Sequence, residues 1–391
     1  MTVADLWKPT SRDFIHNPYH AYREIRKTHD VFRANTGDYV VLGYQECRHI
    51  LQDPSFGTGL RLSWVEKMAN ESSKRGQDLS HLIDSVAGML VQINPPEQQV
   101  IKSDMAKSWP GTAELKKVSE EIITVAINEL PPQFDAIESI CRKVPLNVIS
   151  TLLGLPKEET KKYAIDGINL VQILGPYLSY RDILTIGESS KRLQSFIQEN
   201  ILAEGYSPTK LTNLLIQKYP ETEVINLLLF IFIAGYETTS SLLTLCIYHL
   251  IKNKGYRSRI EKYGVKSFIN EILRLHSPVQ ITGRTNNREI ELDGQTIPKN
   301  AALTVCIAAA NVDPAHFENP DELIWDRKKH EHLSFGYGLH HCLGSQLAEI
   351  EAEVLIEKLL PILDRLSIEK EPVLRDQYTI KSYQSFNLCL K

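Results

Sequence analysis

Residues 335–344 read F-G-Y-G-L-H-H-C-L-G, and two histidines beside a cysteine invite three kinds of chemistry. A zinc site would have to recruit His340 or His341 with Cys342, His330 and His332, and those positions show none of the paired spacings that zinc ligands usually have. A nucleophilic thiol gains some support because Cys342 stands just before a predicted helix, whose N-terminal dipole favours thiolate. A histidine that is a neighbour only in sequence adds little to it, since nucleophile and base usually meet through the fold. A merely buried thiol, a common fate for cysteine, leaves Gly336, Gly338 and Gly344 without a purpose. Three glycines around one sulfur predict a loop with unusual backbone dihedrals and close approach by something large and flat. A thiolate beside backbone N–H donors is also a suitable axial ligand for haem iron.

The decapeptide resembles the cysteine signature of the cytochrome P450 haem-thiolate monooxygenases, Phe-Gly-x-Gly-x-His-x-Cys-x-Gly, which Phe335, Gly336, Gly338, His340, Cys342 and Gly344 match without a gap. The resemblance implies haem b as cofactor, with Cys342 as the iron ligand, Phe335 covering the sulfur side and His340 directed to a haem propionate. It leaves His341 without a role. Other stretches match in the family's order. Glu271 and Arg274 fit the helical Glu-x-x-Arg pair, a spacing that puts both charges on one face and is often only a surface pair. Here it implies a structural ion pair.

Ala234-Gly235-Tyr236-Glu237-Thr238-Thr239 resembles the oxygen-activation stretch. Ala234 and Thr238 share a helix face, and the small pair Ala234 and Gly235 would leave room for dioxygen. Breaking an O–O bond heterolytically needs protons, which the Thr238 hydroxyl would relay and the Glu237 carboxylate resupply. Asn94-Pro95-Pro96-Glu97 opens a helix as the family's Asp-Pro-Pro-Glu does, with Gln98 and Lys102 where many relatives carry a propionate-binding His and Arg. Arg284 matches the family's other propionate-binding Arg. Two departures stand out: Val312 where Arg is usual, and Glu349 where the family has Arg, a reversed charge near the face where electron donors dock.

These residues need a frame. Helical periodicity is predicted over 19–27, 45–51, 113–130, 141–153, 157–174, 183–202, 224–251, 267–275 and 345–359, with a further helix opening at Pro95. Short strands are predicted at 31–32, 39–42, 288–292 and 303–307. Residues 58–93 show no steady period and read as a long irregular segment, a candidate lid or substrate loop. The fold class is therefore mainly α with a minor β-sheet, and with no linker or repeat visible the reading is one domain over residues 1–391. The resemblance names the fold: a single-domain cytochrome P450. The apolar run 224–251 is cut at Glu237–Ser241 into pieces shorter than the roughly 20 residues that span a bilayer, which predicts a buried core helix.

A formal net charge of −4 argues against a nucleic-acid binder, and six cysteines without a CxxC pair argue against a disulfide framework. The first residues offer no apolar signal or anchor, so the expectation is a cytoplasmic protein with no membrane anchor. No Gly-x-Gly-x-x-Gly fingerprint is present, so electrons are expected from a separate ferredoxin or flavodoxin with its reductase. The resemblance implies a substrate pocket drawn from 58–93, Phe230, Ala234, 279–282 with Gln280, and a turn at 383–385. It suits a mostly hydrophobic small molecule, free or carrier-tethered, hydroxylated or epoxidised as in secondary metabolism. Peroxide-driven, isomerising or C–C coupling haem-thiolate chemistry, a haem-binding sensor and a cysteine hydrolase are the alternatives.

Overall fold

The computed structural model describes residues 2–175, 178–327 and 331–391. Its axis is the helix Glu221–Lys252, preceded by Pro220 and carrying Glu221 and Glu223 in its first turn and His249 and Lys252 in its last. Those charges complement the helix dipole. Between them the helix is apolar nearly all round, the pattern of a helix enclosed by others. By length and composition it is the one described helix able to cross a membrane, but 83% of its apolar window is buried within the protein. The helices Lys143–Leu153, Ala164–Val171, Tyr180–Ile201, Val265–His276 and Ser345–Leu359 pack around it.

The β structure lies outside this bundle. A five-stranded sheet runs in the order Val31–Arg33, Tyr39–Val41, Ala302–Val305, Thr282–Asn286, Phe56–Gly57, with Tyr39–Val41 and Ala302–Val305 parallel and its other pairs antiparallel. Leu366–Leu374 and Gln133–Asp135 flank Tyr383–Leu390 in a second sheet. The chain is thus mainly helical with minor sheets, as the sequence predicts.

One expectation changes, and a strand is unforeseen. Residues 58–93 are not irregular: they hold the helices Leu60–Ser73 and Ser80–Ala87. The first buries only Val65, Ala69 and Ser72, a helical stripe in which one residue is small and one polar, so hydrophobic periodicity does not show it. The strand Leu366–Leu374 also escapes sequence reading because it contains Glu369, Lys370, Glu371 and Pro372. It is an edge strand, where charge and proline are tolerated.

The Glu271–Arg274 pair is buried, with each side chain 1% exposed. The Arg274 guanidinium donates to both Glu271 oxygens at 2.8 and 3.0 Å and to the carbonyls of Asn311, Pro320 and Glu322 at 3.1, 2.7 and 2.7 Å. Glu271 also accepts from the Arg327 side chain and the Ile324 N–H. Asn311 carries this network onward, accepting from the Leu333 N–H at 2.7 Å and donating to Ser277 and Ser334 at 2.8 and 2.9 Å. The ion pair therefore braces the residues that lead into 335–344. Removing one partner leaves a buried charge uncompensated, so Arg274→Ala should cost about 3–5 kcal/mol in urea unfolding. Arg288→Ala, at an exposed 3.8 Å pair, should cost less than about 1 kcal/mol.

Candidate active site

The loop 335–344 is held from three sides. Gly336 and Gly338 have φ of +70° and +67°, and a Cβ on Gly338 would stand 2.7 Å from the Leu51 carbonyl oxygen. At Gly338, glycine is thus required twice, by dihedral and by contact. Arg48 of the helix Tyr44–Gln52 donates to the Tyr337 hydroxyl at 2.8 Å and lies 4.7 Å from that ring's centroid. Lys102 donates to the carbonyls of Leu339 and His341 at 2.6 and 2.7 Å, and Gln98 to that of Leu339 at 3.1 Å. Within the loop the Cys342 N–H donates to the Phe335 carbonyl at 2.8 Å. Gly344 differs from its fellows: its φ is −88° and no atom stands within 4 Å of its missing Cβ, so unusual dihedrals are not its purpose.

Cys342 is accessible because it faces a cavity of about 720 Å³. Protein surrounds it closely enough that burial raises its thiol pKa. The Gly344 N–H, the Lys102 charge and the Ser345 N–H act against that rise. These three favour thiolate.

The cavity's basic side chains include Arg284 and His340, which form no ion pair among the described residues. Arg284 is buried and takes part in no ion pair among the described residues; its Nη1 donates to the Thr282 hydroxyl at 3.2 Å and the Gly283 carbonyl at 2.7 Å. Burial alone pushes its pKa down to about 10. His340 is pushed down to about 4 by burial and by the charges of Arg284 and Lys102. A buried guanidinium without counter-charge is costly, and an uncharged imidazole beside it is left as a hydrogen-bond donor. A flat ligand with two carboxylates and an iron for the Cys342 sulfur fits this donor set, as haem b does. The zinc alternative has no support, since among the described residues no group of three or more His, Cys, Asp or Glu is placed to hold a metal. His330 lies outside the described residues.

The long helix presents Ala234, Gly235, Thr238 and Thr239 to the same cavity. The Thr238 hydroxyl donates to the Ala234 carbonyl at 2.6 Å. At Gly235 the missing Cβ would stand 3.0 Å from Ile149 Cδ1, so its smallness serves a close helix crossing. Glu237 is not part of the cavity wall. It is 2% exposed, accepts from the Ser382 hydroxyl through Oε1, and has no partner at Oε2 among the described residues. Burial raises its pKa, against the Ser382 hydrogen bond and the charges of Arg142 and Arg375. Adjacent helix positions point about 100° apart, which separates Glu237 from Thr238. Ser382, Arg142 and Arg375 are remote from Glu237 in sequence, and no local signal marks them.

The pocket draws on Phe230, Ala234 and both ends of 58–93, as expected from the sequence. Two expected contributors are elsewhere. Gln280 is tied to the carbonyls of His276 and Ser277, and residues 383–385 belong to a strand. The C-terminal contribution is Thr379 and Ile380, brought in by the bridge between Val279 and Ile380. Arg61 and Trp64 also border the cavity, and sequence reading singles out neither.

The family model for cytochrome P450 matches residues 265–375. The Biotin biosynthesis cytochrome P450 of Bacillus subtilis (strain 168) is 28% identical over 386 residues, covering 94% of each chain. The Polyketide biosynthesis cytochrome P450 PksS of the same strain is 25% identical over 380 residues, covering 91% of this chain and 90% of its own. Among solved structures, P450BioI in complex with hexadec-9Z-enoic acid ligated acyl carrier protein has a TM-score of 0.87 at 24% identity, covering 97% of this chain and all of that one. Epothilone B-bound cytochrome P450epoK has a TM-score of 0.84 at 19% identity, covering 98% of this chain and 99% of its own.

The loop geometry is testable by pairing two glycines of the same handedness. Gly76 has φ of +74° with nothing within 4 Å, so Gly76→Ala isolates the dihedral cost of about 1–2 kcal/mol. Gly338→Ala adds the contact with Leu51 and should cost clearly more in thermal unfolding while lowering haem retention. Equal costs would show that the contact is unimportant.

Proposed function

We infer that the chain belongs to the cytochrome P450 family of haem-thiolate monooxygenases, as the family-model match and the relatives along nearly its whole length support. From that premise we propose that residues 1–391 form one cytoplasmic monooxygenase domain, with Cys342 as haem ligand and a mostly hydrophobic small molecule as substrate. The observation that carries the reading is one largely apolar cavity lined by Cys342, Thr238, Arg284 and His340 together, with Arg284 in no ion pair among the described residues. Arg284 would neutralise a propionate and His340, as an uncharged imidazole, would donate a hydrogen bond to one, with Lys102 and Gln98 holding the loop that carries the sulfur. Phe335 would screen the sulfur, and Gly336 would shape the turn beside it. Bound here, haem supplies dioxygen activation and insertion of one oxygen atom into substrate, drawing two electrons from a separate donor.

The chain's own residues would govern protons and orientation. Thr238 would exchange its bond to the Ala234 carbonyl for one to a cavity water, placing a hydroxyl donor beside the reacting oxygen. Glu237 would hold a proton more readily than an ordinary carboxylate and renew the Thr238 supply through water at Oε2, which has no partner among the described residues. Ser382 would fix its other oxygen. A ferredoxin or flavodoxin with its reductase is the proposed donor. Glu349, half-buried beside the Lys266 charge, would alter the docking preference. The relatives' names support a role in secondary metabolism, and the acyl carrier protein bound to P450BioI supports a free or carrier-tethered substrate.

Turnover in labelled dioxygen with a surrogate ferredoxin system should put one labelled atom into any compound that perturbs the haem absorption. Thr238→Ala should keep consuming electrons but release them mainly as hydrogen peroxide, with coupling down about tenfold or more. Unchanged coupling would remove Thr238 from proton delivery.

A further inference from the structure

We propose that Arg61 is a specificity residue that anchors an anionic head group, carboxylate or phosphate monoester, on an otherwise apolar substrate. The proposal rests on the monooxygenase reading and adds the substrate's charge. Arg61 borders a cavity whose lining is largely apolar and includes Trp64, Leu90, Val91, Leu174 and Phe230. It belongs to no ion pair among the described residues, and the first turn of its helix holds no acidic side chain. Its described protein acceptor is a single carbonyl, that of Gly175, which takes Nη2. Its guanidinium carbon lies 4.8 Å from the centroid of the Trp64 ring, a contact that fixes the plane of the fork.

The carboxylates nearby do not answer this charge. The one acidic residue on the cavity wall, Asp38, is taken by the hydroxyls of Thr36 and Thr304. Nor is Arg61 one of the cations already explained. Lys102 and Arg284 act on His340, whereas burial is the sole resolved influence on Arg61, so no other charge reaches it strongly. The basic side chains of the cavity thus form two groups. One surrounds the cysteine loop and matches a porphyrin's carboxylates; the other is Arg61 alone. A guanidinium enclosed with one carbonyl acceptor retains N–H donors in a geometry that suits a carboxylate or phosphate fork. The apolar surroundings strengthen such a pair and accept the rest of the ligand.

The haem-loaded protein should be titrated with dodecanoate, dodecyl phosphate, methyl dodecanoate and dodecan-1-ol, each below its micellar concentration, following the haem absorption. At least one anion should bind about tenfold or more tightly than both neutral probes, and which anion does so identifies the head group. Arg61→Gln should bring anion and neutral probes within about twofold of each other, with wild-type haem content as the control for folding. Arg61→Lys should keep part of the preference. The wild-type comparison needs no variant: absence of any preference for an anion overturns the proposal, as does a preference that survives Arg61→Gln. A purified protein without a haem-thiolate spectrum would instead overturn the monooxygenase reading before any titration began.

Discussion

A sulfur that is to bind metal as thiolate must carry charge where protein surrounds it, and burial opposes that charge. The rest of the site can be understood from this constraint. Burial raises the Cys342 pKa, and the opposing influences are two backbone N–H groups, at Gly344 and Ser345, and the Lys102 ammonium. Backbone donors serve well because the turn fixes their direction in advance, so no side-chain entropy is spent in aiming them. Lys102 does a second job: its ammonium grips the carbonyls of Leu339 and His341 and so sets the position of the loop it helps to charge.

Fixing the loop requires bracing on both flanks. On one, Gly338 lies against the end of the helix Tyr44–Gln52 so closely that a methyl group would have no place. On the other, the buried pair Glu271–Arg274 reaches Leu333 and Ser334 through Asn311. Such a pair is weak evidence for net stability, because desolvation offsets much of its attraction. Its geometry suggests a different value: five hydrogen bonds from one guanidinium bring the helix and the loop segments 311 and 320–322 to one point.

Much of this was legible in sequence where function demands a contiguous motif. The loop 335–344, the pair Glu271 and Arg274, and the Ala234–Thr238 face of the long helix all show in spacing alone. What was not legible depends on side chains whose partners are far away in the chain. The helix Leu60–Ser73 hides because Ala69 and Ser72 fill its inner stripe. Glu237 and Thr238 are adjacent in sequence, yet one binds Ser382 in the interior and the other faces the cavity. Gln280 looks like a pocket residue until its amide is seen to satisfy the end of the helix Val265–His276. Arg61 carried no signal at all, since a lone arginine in an unpatterned stretch is most often solvated.

Everything in this site depends on the Cys342 sulfur ligating haem iron as thiolate in the cavity. The most direct test is the absorption spectrum of the reduced protein under carbon monoxide, for the wild type and for Cys342→Ser. Thiolate ligation predicts a strongly red-shifted Soret band in the wild type that the variant lacks. A wild type without that band, or a variant that keeps it, would contradict the claim.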